Sequence, residues 1–153
     1  GVRLVGSEMC IRDSIIIMRP FHLAFPVTDL VSTKSFYIDV LNCQVGRSSE
    51  HWIDFDMFGH QVVAHLVDQA DHPSTNSVDG DDVPASHFGV ILTMDQWHLL
   101  KDRLISHNID FIIEPKIRFK GEAGEQATMF FLDPSGNALE FKAFKDDSSI
   151  FAK

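Results

Sequence analysis

Met129-Phe130-Phe131-Leu132-Asp133-Pro134-Ser135-Gly136-Asn137-Ala138-Leu139-Glu140-Phe141-Lys142-Ala143-Phe144 is the stretch from which the fold can be read. Two apolar, aromatic-rich runs flank Asp-Pro-Ser-Gly. Proline presets φ for a turn and glycine supplies a positive φ, so the stretch predicts a β-hairpin. Alternation along its second strand puts Ala138, Glu140 and Lys142 on one face and Leu139 and Phe141 on the other. A carboxylate therefore stands mid-strand in a segment that otherwise reads as core. Such a group is either exposed on the solvent face or held by a cation, because glutamate is rarely buried unpaired.

Working outward, the same pattern of elements occurs twice. Phe21-His22-Leu23-Ala24-Phe25-Pro26-Val27 alternates as a strand, with His22 facing away from its apolar neighbours. Thr28 or Asp29 can cap a following helix, carried by Leu30, Val31, Phe36, Tyr37, Val40 and Leu41 and stopped by Asn42. Strands are expected at Gln44 to Arg47, Trp52 to Met57 and Gln61 to Val67. A polar stretch from Asp68 to Pro84 reads as a surface linker. Then Ser86-His87-Phe88-Gly89-Val90-Ile91-Leu92 restarts the pattern, with His87 in the place of His22. Thr93 and Gln96 form a capping box for a second helix that ends at His107-Asn108. Strands at Asp110 to Glu114, Gln126 to Leu132 and Asn137 to Phe144 complete the second unit. The expected fold class is α+β, built from tandem βαβββ units whose mostly antiparallel sheet curves into a cup.

At 153 residues and 44% hydrophobic content the chain is one domain's worth. Unit one is assigned to 20–67, the linker to 68–84 and unit two to 85–145, within a single domain over 18–146 and a tail over 147–153. The net charge of −9 argues against nucleic acid or an anionic membrane as partner. Cys10 and Cys43 are too few for a disulfide framework, which suits a reducing cytoplasm. Residues 1–17 are excluded from the fold. Their Ser14-Ile15-Ile16-Ile17 run is too short for a membrane span and has no convincing signal-peptide cleavage site. Ser7-Glu8-Met9-Cys10-Ile11-Arg12-Asp13-Ser14 resembles translated sequencing-adapter text, which makes Met18 the expected true start.

The duplicated unit, the histidine near the start of each first strand, and Asp133-Pro134-Ser135-Gly136-Asn137-Ala138-Leu139-Glu140 resemble the vicinal oxygen chelate superfamily. That superfamily includes glyoxalase I, extradiol dioxygenases and metal-free antibiotic-binding resistance proteins. The resemblance covers about residues 20–145. Trp52-Ile53-Asp54-Phe55-Asp56, Phe58-Gly59-His60-Gln61-Val62-Val63-Ala64-His65 and Gly124-Glu125-Gln126-Ala127-Thr128 look most like its small predicted extradiol-type dioxygenases. The resemblance implies a divalent metal held by residues on the first and last strands of each unit: His22, His87, Glu140 and His65. Four polar groups facing one cup would be costly to bury without a partner, and a cation removes much of that penalty.

Two histidines and one carboxylate with open positions suit non-haem Fe(II) and O₂ chemistry on a small aromatic diol, the leading expectation. His65 would then move protons beside the metal. With all four as ligands, the site would suit a glyoxalase-like lyase or isomerase in which Glu140 could act as base. Mn, Zn or Ni would accept the same donors. A third reading is a binding module that sequesters a small aromatic compound without turnover. The cationic stretch Lys116 to Glu125 is read as a mobile lid, with Arg118, Lys120 and Phe119 as substrate contacts. The fold also allows two chains to exchange units as a homodimer.

Overall fold

A computed structural model describes residues 18–153 apart from residue 73, so the expectations for 1–17 lie outside the described residues. Unit one comprises β1 (His22–Val27), α1 (Leu30–Ser35), β2 (Gln44–Ser48), β3 (Trp52–Met57) and β4 (His60–Leu66). A hairpin of β5 (Thr75–Val78) and β6 (Asp81–Pro84) follows. Unit two comprises β7 (Ile91–Leu92), α2 (Met94–Ser106), β8 (Phe111–Arg118), β9 (Gln126–Leu132) and β10 (Ala138–Phe144). The strand orders are β1-β4-β3-β2 and β7-β10-β9-β8, and in each sheet only the first pair is parallel. No helix among the described residues is long and apolar enough to cross a membrane.

The local chemistry places the ends of these elements. Asp29 caps α1 by accepting from the Ser32 amide at 2.7 Å, and α1 continues as a π-helical turn over Phe36–Val40 before Asn42 stops it at φ 58°. Thr93 and Gln96 close the expected capping box, at 3.2 and 3.0 Å. In the β9–β10 turn Gly136 takes φ 86°, while Asp133 Oδ1 accepts from the amides of Ser135 and Asn137 at 2.9 Å each.

The two units share one core. Phe25, Tyr37 and Phe55 from unit one join Trp97, Phe131 and Phe141 from unit two. Tyr37 stacks on Phe55 at 5.0 Å, and Phe36 reaches Phe131 at 6.3 Å. The β9–β10 turn fastens the units together: Tyr37 Oη donates to Asp133 Oδ2 at 3.1 Å, Asn137 Nδ2 donates to the Pro26 carbonyl at 2.8 Å, and the Thr28 amide donates to Ser135 Oγ at 2.9 Å. Tyr37→Phe leaves a buried acceptor short of one donor. It is expected to cost about 1–3 kcal/mol, read from urea unfolding.

Three elements differ from the sequence expectation. The linker over 68–84 contains the β5–β6 hairpin, whose Val83 packs on Ile113 and Phe130. The loop expected from Lys116 starts only after Arg118, because β8 passes through Pro115 with two register shifts that absorb its missing N–H. The first strand of unit two is interrupted: Phe88 bridges Leu139 alone, and regular pairing resumes at Ile91. Gly89 causes this by letting the backbone press against β10. A β-carbon there would lie 1.6 Å from the Glu140 carbonyl oxygen.

Candidate functional site

With Phe25 and Val27 in the shared core, alternation leaves His22, Ala24 and Pro26 on the open face of β1. Gln61, Val63 and His65 share that face on β4. In unit two the matching face carries Glu140 and Lys142 from β10, Thr128 and Phe130 from β9, and Ile113, Lys116 and Arg118 from β8.

Glu140 is 8% exposed in the middle of β10. Its Oε1 accepts from Thr128 Oγ1 at 2.7 Å, and its Oε2 lies 3.1 Å from His87 Nε2 and 3.4 Å from Lys142 Nζ. Burial pushes the carboxyl up, but hydrogen bonds from His87 and Thr128 and the Lys142 charge outweigh it and hold Glu140 below its ordinary value. The hydrogen bond to Glu140 raises His87 despite partial burial. His87 Nδ1 lies 2.6 Å from the Pro84 carbonyl oxygen. A carbonyl only accepts, so Nδ1 carries a proton and Nε2 is the nitrogen presented to Glu140. Phe130 meets the imidazole edge to face at 5.1 Å.

His22 is oriented in the same way. Its Nδ1 lies 2.8 Å from Gln61 Oε1, Gln61 Nε2 donates to Asp54 Oδ2 at 3.4 Å, and Arg47 Nε lies 3.8 Å from that oxygen. Both histidines thus have Nδ1 beside an oxygen acceptor, which leaves Nε2 as the nitrogen for a metal, the arrangement that supports ligation by Nε2. With the adjacent buried carboxylate, this donor set fits a divalent ion. Among the described residues of one chain the set is incomplete: His87 and Glu140 meet, while the side-chain partner of His22 is Gln61. Among the described residues no three His, Cys, Asp or Glu side chains come together in a metal-holding group.

The other expected residues fall as follows. His65 is exposed and pairs in register with Pro26, whereas His22 pairs with Gln61. Four residues of strand separate the two, about 13 Å. The repeat also aligns Leu23–Val62 with Phe88–Leu139, so Val63 is the unit-one counterpart of Glu140 and His65 that of Lys142. Arg118 is on β8, its side chain 7% exposed, with Nη2 donating to Asp81 Oδ2 at 2.8 Å. Lys116 pairs with the same oxygen. Phe119, at φ 53°, begins the turn carrying exposed Lys120.

Sequence reasoning did not select Thr128, Gln61, Asp54 or Asp81. Asp54 alternates with Ile53 and Phe55, a parity that assigns it to the cup face. Asp81 gave no such signal, because its hairpin lies in a stretch whose polarity reads as linker.

A family model described as the Glyoxalase/Bleomycin resistance protein/Dioxygenase superfamily matches residues 19–141. Among solved structures, a glyoxalase/bleomycin resistance protein/dioxygenase from Alicyclobacillus acidocaldarius is 33% identical, covering 86% of this chain and 96% of that one, with a TM-score of 0.75. The fosfomycin resistance protein FosX from Listeria monocytogenes has the same fold at 16% identity, covering 88% and 98%, with a TM-score of 0.65. The same protein complexed with Mn(II) and sulfate aligns at 17% identity over 88% and 96%, with a TM-score of 0.63. Comparison with curated proteins finds no match.

Proposed function

The chain belongs to the glyoxalase, bleomycin resistance protein and dioxygenase superfamily, and from that premise we propose that it is a metal-dependent, extradiol-type ring-cleaving dioxygenase of a small aromatic diol. The supporting observation is the donor set: two histidines with Nδ1 tied to oxygen acceptors and one buried carboxylate, the combination that suits Fe(II) with open positions. Mn, Zn or Ni would be accepted by the same donors. A bound divalent ion, held by His22, His87 and Glu140, would supply Lewis acidity toward the diol oxygens and, as Fe(II), O₂ activation.

The chain's own residues would do the rest. His87 and Glu140 hold the ion from unit two, with Thr128 fixing one carboxylate oxygen so that the other faces the cup. His22 holds it from unit one, steered by the Gln61–Asp54–Arg47 series. Because one chain does not bring the three together, the reading includes a homodimer in which His22 of one chain faces His87 and Glu140 of the other. His65 sits too far along β4 to share an ion with His22 of its own chain and would move protons at the far end of the cup. That placement, with Val63 opposite Glu140 in the repeat, favours three ligands over the four of a glyoxalase-like lyase. The low cysteine count is consistent with a reducing cytoplasm.

The test is anaerobic reconstitution with Fe(II) followed by a panel of catechols. O₂ uptake with ring-opened product is expected for at least one of them. Tight iron retention with no O₂ uptake across the panel would sink the dioxygenase reading and leave a binding module.

A further inference from the structure

The β5–β6 hairpin puts a carboxylate where the cup has an unmet demand for one. Asp81 Oδ2 serves both Lys116 and Arg118 Nη2, a single oxygen shared between two cations. Among the described residues Arg118 Nε is buried without a hydrogen-bond partner, and so is Oε1 of Gln126, its register partner on β9. A guanidinium binds a carboxylate best side-on, through Nε–H and an Nη–H together. Asp81 leaves the first of these unused.

The position is also within the cup. Lys116 pairs in register with Thr128, which donates to Glu140, and Lys142 reaches Glu140 from the same row. Arg118 lies one side-chain row further along. The hairpin's other attachments, Val83 on Ile113 and Phe130 and the Pro84 carbonyl on His87, do not depend on Asp81.

We propose that Arg118 and Lys116 form a carboxylate subsite of the cup, and that Asp81 occupies it as an internal substitute which a carboxylate-bearing substrate displaces. The diol then carries an acid group remote from its vicinal oxygens, and that acid group gains Arg118 and Lys116 only by displacing Asp81. This rests on the reading of the cup as a small-molecule site and does not require the metal.

The experiment is calorimetric titration of chelator-treated protein with benzoate, and with benzamide as its neutral twin. Asp81→Ala is expected to tighten benzoate binding about tenfold by removing the internal competitor, and to leave benzamide unchanged. Adding Lys116→Gln to that variant should abolish the gain, as should Arg118→Met where melting curves show it folded. An unchanged benzoate affinity in Asp81→Ala, or an equal gain for benzamide, overturns the subsite. Metal retention is measured on the same variants before chelation. Retention without any benzoate gain defeats this inference alone; a benzoate gain in protein that never retains metal supports it and defeats only the metal reading.

Discussion

Glu140→Ala is expected to lower affinity for the divalent ion by more than about 100-fold, since altering only a supporting contact at such sites typically costs about 10–100-fold. Elemental analysis after gel filtration would read near-stoichiometric metal in the parent protein and none in the variant. The cause is local: Glu140 supplies the carboxylate that pairs with His87, and Thr128 and Lys142 cannot replace it as ligands. Stability should fall as well, by about 1–3 kcal/mol, because the buried Thr128 hydroxyl and the His87 and Lys142 side chains lose their shared partner. His22→Ala should lose metal as well, and mixing the two variants separates the possible site architectures. If His22 of one chain completes the site of the other, mixed dimers regain one intact site each, about a quarter of the parent's sites in an equimolar random mixture. A site built within one chain would regain none. Metal bound undiminished by Glu140→Ala would remove Glu140 from the site altogether.

The legible parts of the fold were those where one residue type has one structural use. Asp133-Pro134-Ser135-Gly136 has the chemistry of a turn, Thr93 with Gln96 that of a capping box, and Asn42 and Asn108 both stop helices at positive φ. The repeat carried the topology, because a strand, a helix and three strands occurring twice can be counted without knowing how they pack. The less legible parts depended on tertiary contacts. The strand expected to end at Glu114 runs on through Pro115 to Arg118 by shifting register. The hairpin over 75–84 is stabilised by Val83 on Ile113 and Phe130, contacts its own polar sequence does not announce.

The candidate site shows the same division. His22, His87 and Glu140 were selected by repeat and motif, and parity assigned them to the cup face. The network that aims His22 spans three strands through Gln61, Asp54 and Arg47, and no sequence pattern links residues that meet only across a sheet. The basic stretch from Lys116 likewise reads as a solvated lid until Asp81 is placed beside it.

Gly89→Ala is expected to be the most damaging single-carbon change in the chain, destabilising by about 3–5 kcal/mol from overpacking together with lost hydrogen bonds. The new β-carbon would lie 1.6 Å from the Glu140 carbonyl oxygen and 2.7 Å from its carbon, and both are backbone atoms with no rotamer to escape into. The chain must therefore lift away from β10. That movement breaks the bonds from the Glu140 amide to the Phe88 carbonyl at 2.9 Å and from the Phe88 amide to the Ala138 carbonyl at 3.2 Å. Backbone conformation is not the obstacle, since Gly89 does not share the positive φ of Gly136. The repeat supplies an internal control. Ala24 holds the equivalent place in unit one, where β1 pairs regularly with β4 and Ala24 stands opposite Val63. The need for glycine thus belongs to unit two, where the chain presses against the strand that carries Glu140. Gly46→Ala provides a second comparison, because its β-carbon would meet the Asp54 side chain at 3.2 Å and should cost much less. Thermal melts and metal content should fall together in Gly89→Ala, whereas Glu140→Ala should lose its metal with a smaller fall in melting temperature. If Gly89→Ala melted with the parent and kept its metal, the close approach that positions Glu140 beside His87 would be wrong.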